Sequence, residues 1–410
     1  MMKKFSGLDY LKIDIANHLG LDKKSWDDRI KYIDQHEHEL EKIIEQAEEP
    51  ALFYASVKAY RKAQRKEPSG YPISLDATAS GSQILACLTC DPQAAELCNV
   101  VSTGKREDVY TNIYHKMLEK LGGSEKIERD QVKKAVMTSL YGSQAVPKNV
   151  FGAGSLYATF LETMNEMMPY AWELNQACLD LWNPKAFSYD WIMPDNFHVH
   201  VKVMQPEKEV IHFMDAPYEI SYMVNKPTKE GRSISANMVH SIDGLIVREM
   251  QRRCNYNPKT VETVKLALEY ALQNITTYQQ NKNKDSPRLM MLNTLLDLAK
   301  KTGYLSARIL DYVRLETVGF MNLYQVQSVY ELIQSMPKKP FEIITIHDCF
   351  RVLPNYGNDI RQQYNNQLML IAKSNLLEYL LTQITGREIK INKADPELYR
   401  KIYITEYALS

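Results

Sequence analysis

Apolar and polar positions repeat with two periods along this chain, one helical and one of alternating strands. Over residues 1–66 the period is helical: Ile30, Ile33, Leu40, Ile43 and Ile44 form a stripe behind Ser25-Trp26-Asp27-Asp28, a capping-box pattern. Pro50 punctuates, and a helix over 51–64 carries Lys58, Arg61, Lys62, Arg65 and Lys66 at or just beyond its C-terminal end. That run reads as a solvated face complementing the helix dipole, with a nucleic-acid contact as the other reading. The turn Pro68-Ser69-Gly70 leads to a short strand over 71–75, which ends in Asp76-Ala77-Thr78-Ala79-Ser80-Gly81-Ser82-Gln83. Ser80 with Gln83 is a second capping box, so a helix through Leu88 is expected. A strand that delivers a carboxylate beside a helix N-terminus is a favoured active-site layout; simple capping by Asp76 is the alternative.

Further on, 108–121 is an amphipathic helix holding Tyr110 and Tyr114 and ended by Gly122-Gly123. Within 125–141, Arg129, Lys133, Met137 and Tyr141 recur every four residues, which draws them into one slanted stripe. Two cations below a Tyr-Gly terminus suit a triphosphate and a sugar; a plain amphipathic helix with a basic edge is the alternative. Breaks at Pro147, Gly152 and Gly154 precede a Met- and Trp-rich helix over 155–182, then strands over 196–204 and 209–214. His198 and His200 share a face of the first, with His212 expected opposite, so the three line a polar hairpin face or bind zinc. Residues 242–340 are mainly helical, at 264–272, 289–298 and 326–333, with a polar loop at 281–285. The runs 343–346 and 349–353 are β-branched strands hinged on His347-Asp348, a hairpin that lifts a carboxylate out of an apolar sheet. A helix over 359–381 and a short tail follow.

Length and composition narrow the class. A chain of 410 residues holds two or three lobes, and its 45% apolar and 24% charged content is that of a soluble globular protein. Lys+Arg and Asp+Glu both total 50. This excludes a uniformly basic protein but leaves room for a basic channel in an acidic shell. Six cysteines are too few for a disulfide framework, and Cys87 and Cys90 lack a second pair at zinc spacing, so reduced, packed thiols are expected. With no spanning apolar run and no signal peptide after Met1, the expectation is a cytoplasmic protein without a membrane partner.

Taken in order, Asp76, then Arg129, Lys133 and Tyr141-Gly142, then His347-Asp348 resemble motifs A, B and C of the single-subunit phage and mitochondrial type of DNA-directed RNA polymerase. Asp76 to Gln83 resembles that family's Asp, small residues and Ser-Gly-x-Gln. Arg129 to Gly142 is similar to Arg-x3-Lys-x2-Val-Met-Thr-x2-Tyr-Gly. Val239-His240-Ser241-Ile242-Asp243-Gly244 resembles Val-His-Ser-x-Asp-Gly, Asp108-Val109-Tyr110 resembles Asp-Ile-Tyr, and the tail from Tyr403 to Ser410 is similar to the C-terminal foot. The likeness spans most of 30–410 and is greatest to the large catalytic subunit of split two-subunit phage enzymes.

The resemblance implies an α/β, predominantly helical right-hand polymerase fold, with palm and fingers present and the thumb and N-terminal domain missing or incomplete. Residues 1–66 would lead into the palm, 67–105 be palm with motif A, 106–240 fingers, and 241–410 palm with motif C and a helical insertion at about 255–335. It implies transfer of a nucleotide from an NTP to an RNA 3′-hydroxyl on a DNA template, releasing pyrophosphate. Two Mg²⁺ about 4 Å apart would be held by Asp76 and Asp348. Arg129 and Lys133 would neutralise the triphosphate, Tyr141 and Gly142 would face the incoming sugar and favour ribose, and His240 and Tyr110 would touch the same nucleotide. His347 would position Asp348 beside the primer end.

Two other readings stay open. In a related DNA polymerase a Glu would stand at Leu85 and Asn-Phe-Gly at Val136-Met137-Thr138, so both positions favour RNA synthesis. A non-catalytic scaffold would have lost the two Asp or the two cations, and all four are present. The chain departs from the family in having Ala77 for Gly, Cys349-Phe350-Arg351 for Ser-Phe-Gly, and no Asp-x2-Gly-Arg: neither Gly231-Arg232 nor Gly386-Arg387 has the Asp. A smaller second polypeptide supplying that motif, the thumb and the N-terminal domain is therefore expected, in the cytoplasm of an infected bacterial host.

Overall fold

Helical periodicity becomes helix along most of the chain, and short antiparallel sheets form where the period is two. The computed structural model describes every residue except 1, 124, 230, 232 and 274–285; the expected polar loop at 281–285, and Arg232, lie outside the described residues. Its strands are β1 (Ile73–Asp76), β2 (Ser188–Ile192), β3 (His198–Lys202), β4 (Met204–Phe213), β5 (Ala216–Asn225), β6 (Ile344–Ile346) and β7 (Cys349–Val352). They pair as a three-stranded sheet in the order β1-β7-β6 and two two-stranded sheets, β2-β3 and β4-β5. The remainder is predominantly helical.

The central sheet shows how alternation sets the site. Ile73 and Leu75 of β1, and Phe350 and Val352 of β7, point inward and are buried. Ser74, Asp76, Cys349 and Arg351 therefore share the opposite face. The antiparallel register sets Asp76 against Cys349, so the His347-Asp348 turn ends up beside Asp76. Behind the sheet, one core joins the N-terminal helices, the helix Ser80–Thr89 and the helix Gly357–Lys373. A second, separate core runs from Val261 to Met336, with Val264, Leu268, Leu292 and Val329 at its centre. No helix among the described residues is long and apolar enough to cross a membrane.

Several local expectations are corrected. The helix Trp26–Gln35 is capped by Ser25, which accepts from the Asp28 amide at 3.1 Å, but it stops at Gln35. Leu40 and Ile44 then lie in 3₁₀ turns, so the stripe is broken. Helix Ser80–Thr89 has no side-chain cap: Gln83 is drawn into the core by distant acceptors. The expected helix over 155–182 is two, Ser155–Met167 and Pro169–Asp180, because Pro169 cannot donate to the preceding turn. That over 359–381 likewise breaks between Lys373 and Leu376, where Ser374 is extended. The imidazole hairpin does not form. His198 and His200 lie on β3, which pairs with β2, whereas His212 lies on β4, which pairs with β5. His200 hydrogen-bonds Asp190 across β2-β3, and the three rings are split between two sheets, which removes the zinc reading.

Candidate active site

Asp76 ends β1 at the mouth of a cleft of about 950 Å³. The backbone ties it to the rest of the site. The Ala77 amide donates to the Asp348 carbonyl at 3.2 Å, and Asp76 exchanges hydrogen bonds with Ser410, whose amide donates to its carbonyl at 2.9 Å. The tail thus runs alongside the end of β1, with Ala77 bridged to Leu409. Gln83 fixes the loop between: its Nε2 donates to Thr78 Oγ1 (3.0 Å) and to the carbonyls of Cys98 (3.0 Å) and Ala408 (2.9 Å), and its Oε1 accepts from Tyr364 (2.8 Å). At the other strand end His347 has φ +56°, a left-handed conformation that a non-glycine residue adopts at a cost of about 1–2 kcal/mol. That tight turn aims Asp348 into the cleft.

The slanted stripe forms as expected on the helix Arg129–Leu140 and its C-cap: Arg129, Lys133, Met137 and Tyr141 all line the cleft. Arg129 is not free. Its Nη2 donates to Asp108 Oδ2 at 2.5 Å and its Nε to Thr111 Oγ1 at 2.7 Å. Burial pushes the Asp108 carboxyl up, but the hydrogen bonds from Thr111 and Arg129 outweigh it and hold the group below its ordinary value. Lys133 has no ion-pair partner among the described residues, and its ammonium sits 5.9 Å from the Tyr110 ring centre. The Tyr141 ring stacks on His240 at 4.8 Å and 3°. Gly81 leaves room for it, since a Cβ there would meet the Tyr141 hydroxyl at 3.0 Å. Gly142 follows at φ +82° and is the one expected residue that does not line the cleft.

Asp243 is the residue that sequence reasoning missed. It stands three positions after His240 on the helix Ser233–Cys254 and faces the same cleft. Its signal was present as an acidic position one helical turn from an expected substrate contact. Burial and the Asp348 charge together push both Asp76 and Asp243 up to about 6. Carboxylates crowded this way want a positive charge, and oxygen donors suit a hard divalent cation. Arg351, beside the expected His347-Asp348 turn, lines the cleft too, and so do Arg106 and the His18–Glu49 pair, hydrogen-bonded at 2.7 Å, which were not expected there.

Known proteins resemble parts of this chain. Residues 4–151 match the family model for DNA-dependent RNA polymerase. A probable DNA-directed RNA polymerase of Neurospora crassa is 31% identical over 163 residues, which cover 33% of this chain and 18% of that protein. The DNA-directed RNA polymerase of Pseudomonas phage phiKMV is 23% identical over 305 residues, covering 58% and 37%. Mitochondrial DNA-directed RNA polymerase 1 of Arabidopsis thaliana is 30% identical over 175 residues, covering 33% and 18%. The chain therefore spans at most 37% of the length of these relatives.

Proposed function

We propose that the chain belongs with the single-subunit DNA-directed RNA polymerases that it resembles and is the catalytic subunit of such an enzyme, joining nucleotides to an RNA 3′-end on a DNA template. The observation that carries this reading is the convergence of Asp76, Tyr110, Arg129, Lys133, Tyr141, His240, His347 and Asp348 on one cleft. In this reading 67–105 and most of 241–410 form a palm and 106–240 the fingers of a right-hand fold, and the second core is an insertion. A smaller polypeptide supplies the thumb and N-terminal domain, and the pair works in the cytoplasm of an infected bacterium.

Nucleotidyl transfer needs alignment and charge neutralisation more than covalent help. The 3′-oxygen attacks the α-phosphorus, the bond to pyrophosphate breaks, and the hydroxyl proton is lost. Asp76 and Asp348 offer the oxygen donors that two Mg²⁺ would take, and Asp243 lines the same cleft. Bound there, Mg²⁺ would lower the cost of charge on the attacking and leaving oxygens. Lys133, unpaired in the cleft, meets the triphosphate as a point charge. Arg129 meets it as a planar fork held in direction by Asp108 and Thr111. Tyr141, braced by His240 and Gly81, presents a flat face and hydroxyl where the sugar would rest. The test is incorporation of UTP against dTTP on a primed template with Mg²⁺. A preference for UTP is expected; a preference for dTTP would replace the reading with DNA synthesis.

A further inference from the structure

Arg351 is a cation without a counter-charge on the sheet that carries the candidate metal ligands. It stands on the middle strand, β7, where the register sets it against Ser74 of β1 and Ile344 of β6. Directly opposed residues of antiparallel strands share a face, so Ser74, Arg351 and Ile344 form one row across the open side of the sheet. Asp76, Cys349 and Ile346 form the next row, and the His347-Asp348 turn follows it.

The other two arginines of the cleft face carboxylates: Arg106 Nη2 lies 3.9 Å from Asp22 Oδ2, and Arg129 is held by Asp108. Arg351 is half-buried and lines the same cleft, yet it has no ion pair among the described residues, not even with Asp76 on the diagonal. Its Nε is buried without a hydrogen-bond partner. A buried donor left unmet costs free energy, and a guanidinium kept in that condition calls for an anion from outside the chain. The residue is also one of this chain's own, since the motif that Cys349-Phe350-Arg351 resembles has Gly there.

The chemistry selects the anion. In-line displacement puts the attacking oxygen and the leaving pyrophosphate on opposite sides of the α-phosphorus. Arg129 and Lys133, both on the helix Arg129–Leu140, serve the leaving side in the proposed reaction. Arg351 comes instead from the sheet whose turn is read as lying beside the primer end. At about 3.4 Å per residue its row lies about 7 Å from the Asp76 row, close to the length of one nucleotide's backbone. A strand whose 3′-oxygen reached Asp76 and Asp348, and which ran back along the sheet, would set its last phosphodiester at Arg351. We infer that Arg351 is the subsite for the last phosphodiester of the growing strand, which it grips with the planar fork of its guanidinium.

The inference rests on the polymerase reading and names a strand contact within that site. The test gives the full chain, with any polypeptide that copurifies, an RNA primer on a DNA template in which one linkage is a neutral methylphosphonate. That linkage is the last or the fourth from the 3′-end, with a 2′-deoxy sugar before it for stability. Affinity is read by fluorescence anisotropy without NTP, and single-nucleotide incorporation with Mg²⁺ is read separately. Expected is a loss of about tenfold in affinity for the neutral last linkage relative to the neutral fourth. Arg351→Gln should bind the fully charged primer about tenfold more weakly and no longer distinguish the two linkages. Arg351→Lys, which keeps the charge without the fork, should still distinguish them. Equal binding of the two primers by the unsubstituted chain, an undiminished difference in Arg351→Gln, or a loss that appears only in the KM for NTP would overturn the inference. Absence of incorporation on the fully charged primer would count against the polymerase reading, while the anisotropy comparison still decides the contact.

Discussion

Asp108 has two tasks that a pair of substitutions separates. Its Oδ1 caps the helix Val109–Leu121, accepting from the amides of Tyr110 at 3.1 Å and Thr111 at 3.3 Å, while Oδ2 accepts from Arg129 at 2.5 Å. Asparagine keeps the cap and loses the charge; alanine loses both. The cap is worth about 1 kcal/mol. A charge-assisted hydrogen bond is worth about 1.5–3 kcal/mol when buried. The Arg129 and Asp108 side chains keep 26% and 17% exposure, and screening reduces that to about 1 kcal/mol. Asp108→Asn should therefore cost about 1 kcal/mol and Asp108→Ala about 2 kcal/mol, which is roughly 5-fold and 30-fold in local opening. Amide exchange across Val109–Leu121 reads this locally, without assuming that the whole chain unfolds in one step. The pH dependence has a fixed sign. Because the folded carboxyl titrates below its ordinary value, its contribution is complete above about pH 4 and is lost as pH falls through the lower folded value. Equal exchange in the Asn and Ala variants would refute the cap, and an Asn effect undiminished in acid would refute the ion pair.

Asp348→Asn should lower incorporation by more than about 100-fold, the upper cost of losing a mere supporting partner of a ligand, while template binding is retained; unchanged activity would remove the catalytic role. Since Asp76 and Asp243 titrate near 6 when no cation is bound, their ionisation should destabilise the folded chain as pH rises from about 4 to about 6. Added Mg²⁺ should bring both carboxyls down, read by carbon-13 NMR titration, and an indifferent titration would count against the donor set. Gly81→Ala improves helix propensity by about 1 kcal/mol yet puts a Cβ 3.0 Å from the Tyr141 hydroxyl. The melting temperature should hold or rise while the UTP-to-dTTP preference falls, and intact discrimination would detach Tyr141 from the sugar. Gln83→Leu strands the Tyr364 hydroxyl and takes one donor from the carbonyls of Cys98 and Ala408, which keep Thr78 Oγ1 at 3.4 Å and the Thr78 amide at 3.2 Å, at roughly 1–3 kcal/mol in chemical denaturation; a loss below about 1 kcal/mol would show the tail held by the Thr78 contacts.

Local rules made much of this site legible. Spacing of four on one helix is enough to align Arg129, Lys133, Met137 and Tyr141, and alternation is enough to turn Asp76 away from Ile73 and Leu75. What stayed hidden depended on partners distant in sequence. Ser80 and Gln83 carry the residues of a capping box, but Cys98, Ala408 and Tyr364 compete for the Gln83 amide and win because they too are buried. Which strand lies beside His200 is decided by β2, whose own alternation was not read, and not by the nearer run over 209–214. Arg129 looked like a free cation because Asp108 is a helix away in sequence, and Asp243 looked like part of a motif string because helix rotation relative to the cleft is a tertiary fact.

That rotation is itself set far from the cleft. The helix Ser233–Cys254 carries His240 and Asp243 in its first half, and Arg248, Glu249 and Arg252 toward its end. Arg248 Nε and Arg252 Nη1 donate to Asp195 Oδ2 at 2.6 and 2.8 Å, just before β3, and Arg308 donates to the Asp195 carbonyl at 2.7 Å. Glu249 accepts from Ser306 Oγ at 2.5 Å and from the Ala307 amide at 2.8 Å, at the edge of the second core. Both carboxylates are fully buried. A buried carboxylate left without its partners costs about 3–5 kcal/mol, so turning or sliding the helix would cost about that much for each of the two carboxylates. The near-parallel stack of His240 on Tyr141 is thus held by charges outside the cleft, and the second core is part of what keeps the His240 side of the cleft in register.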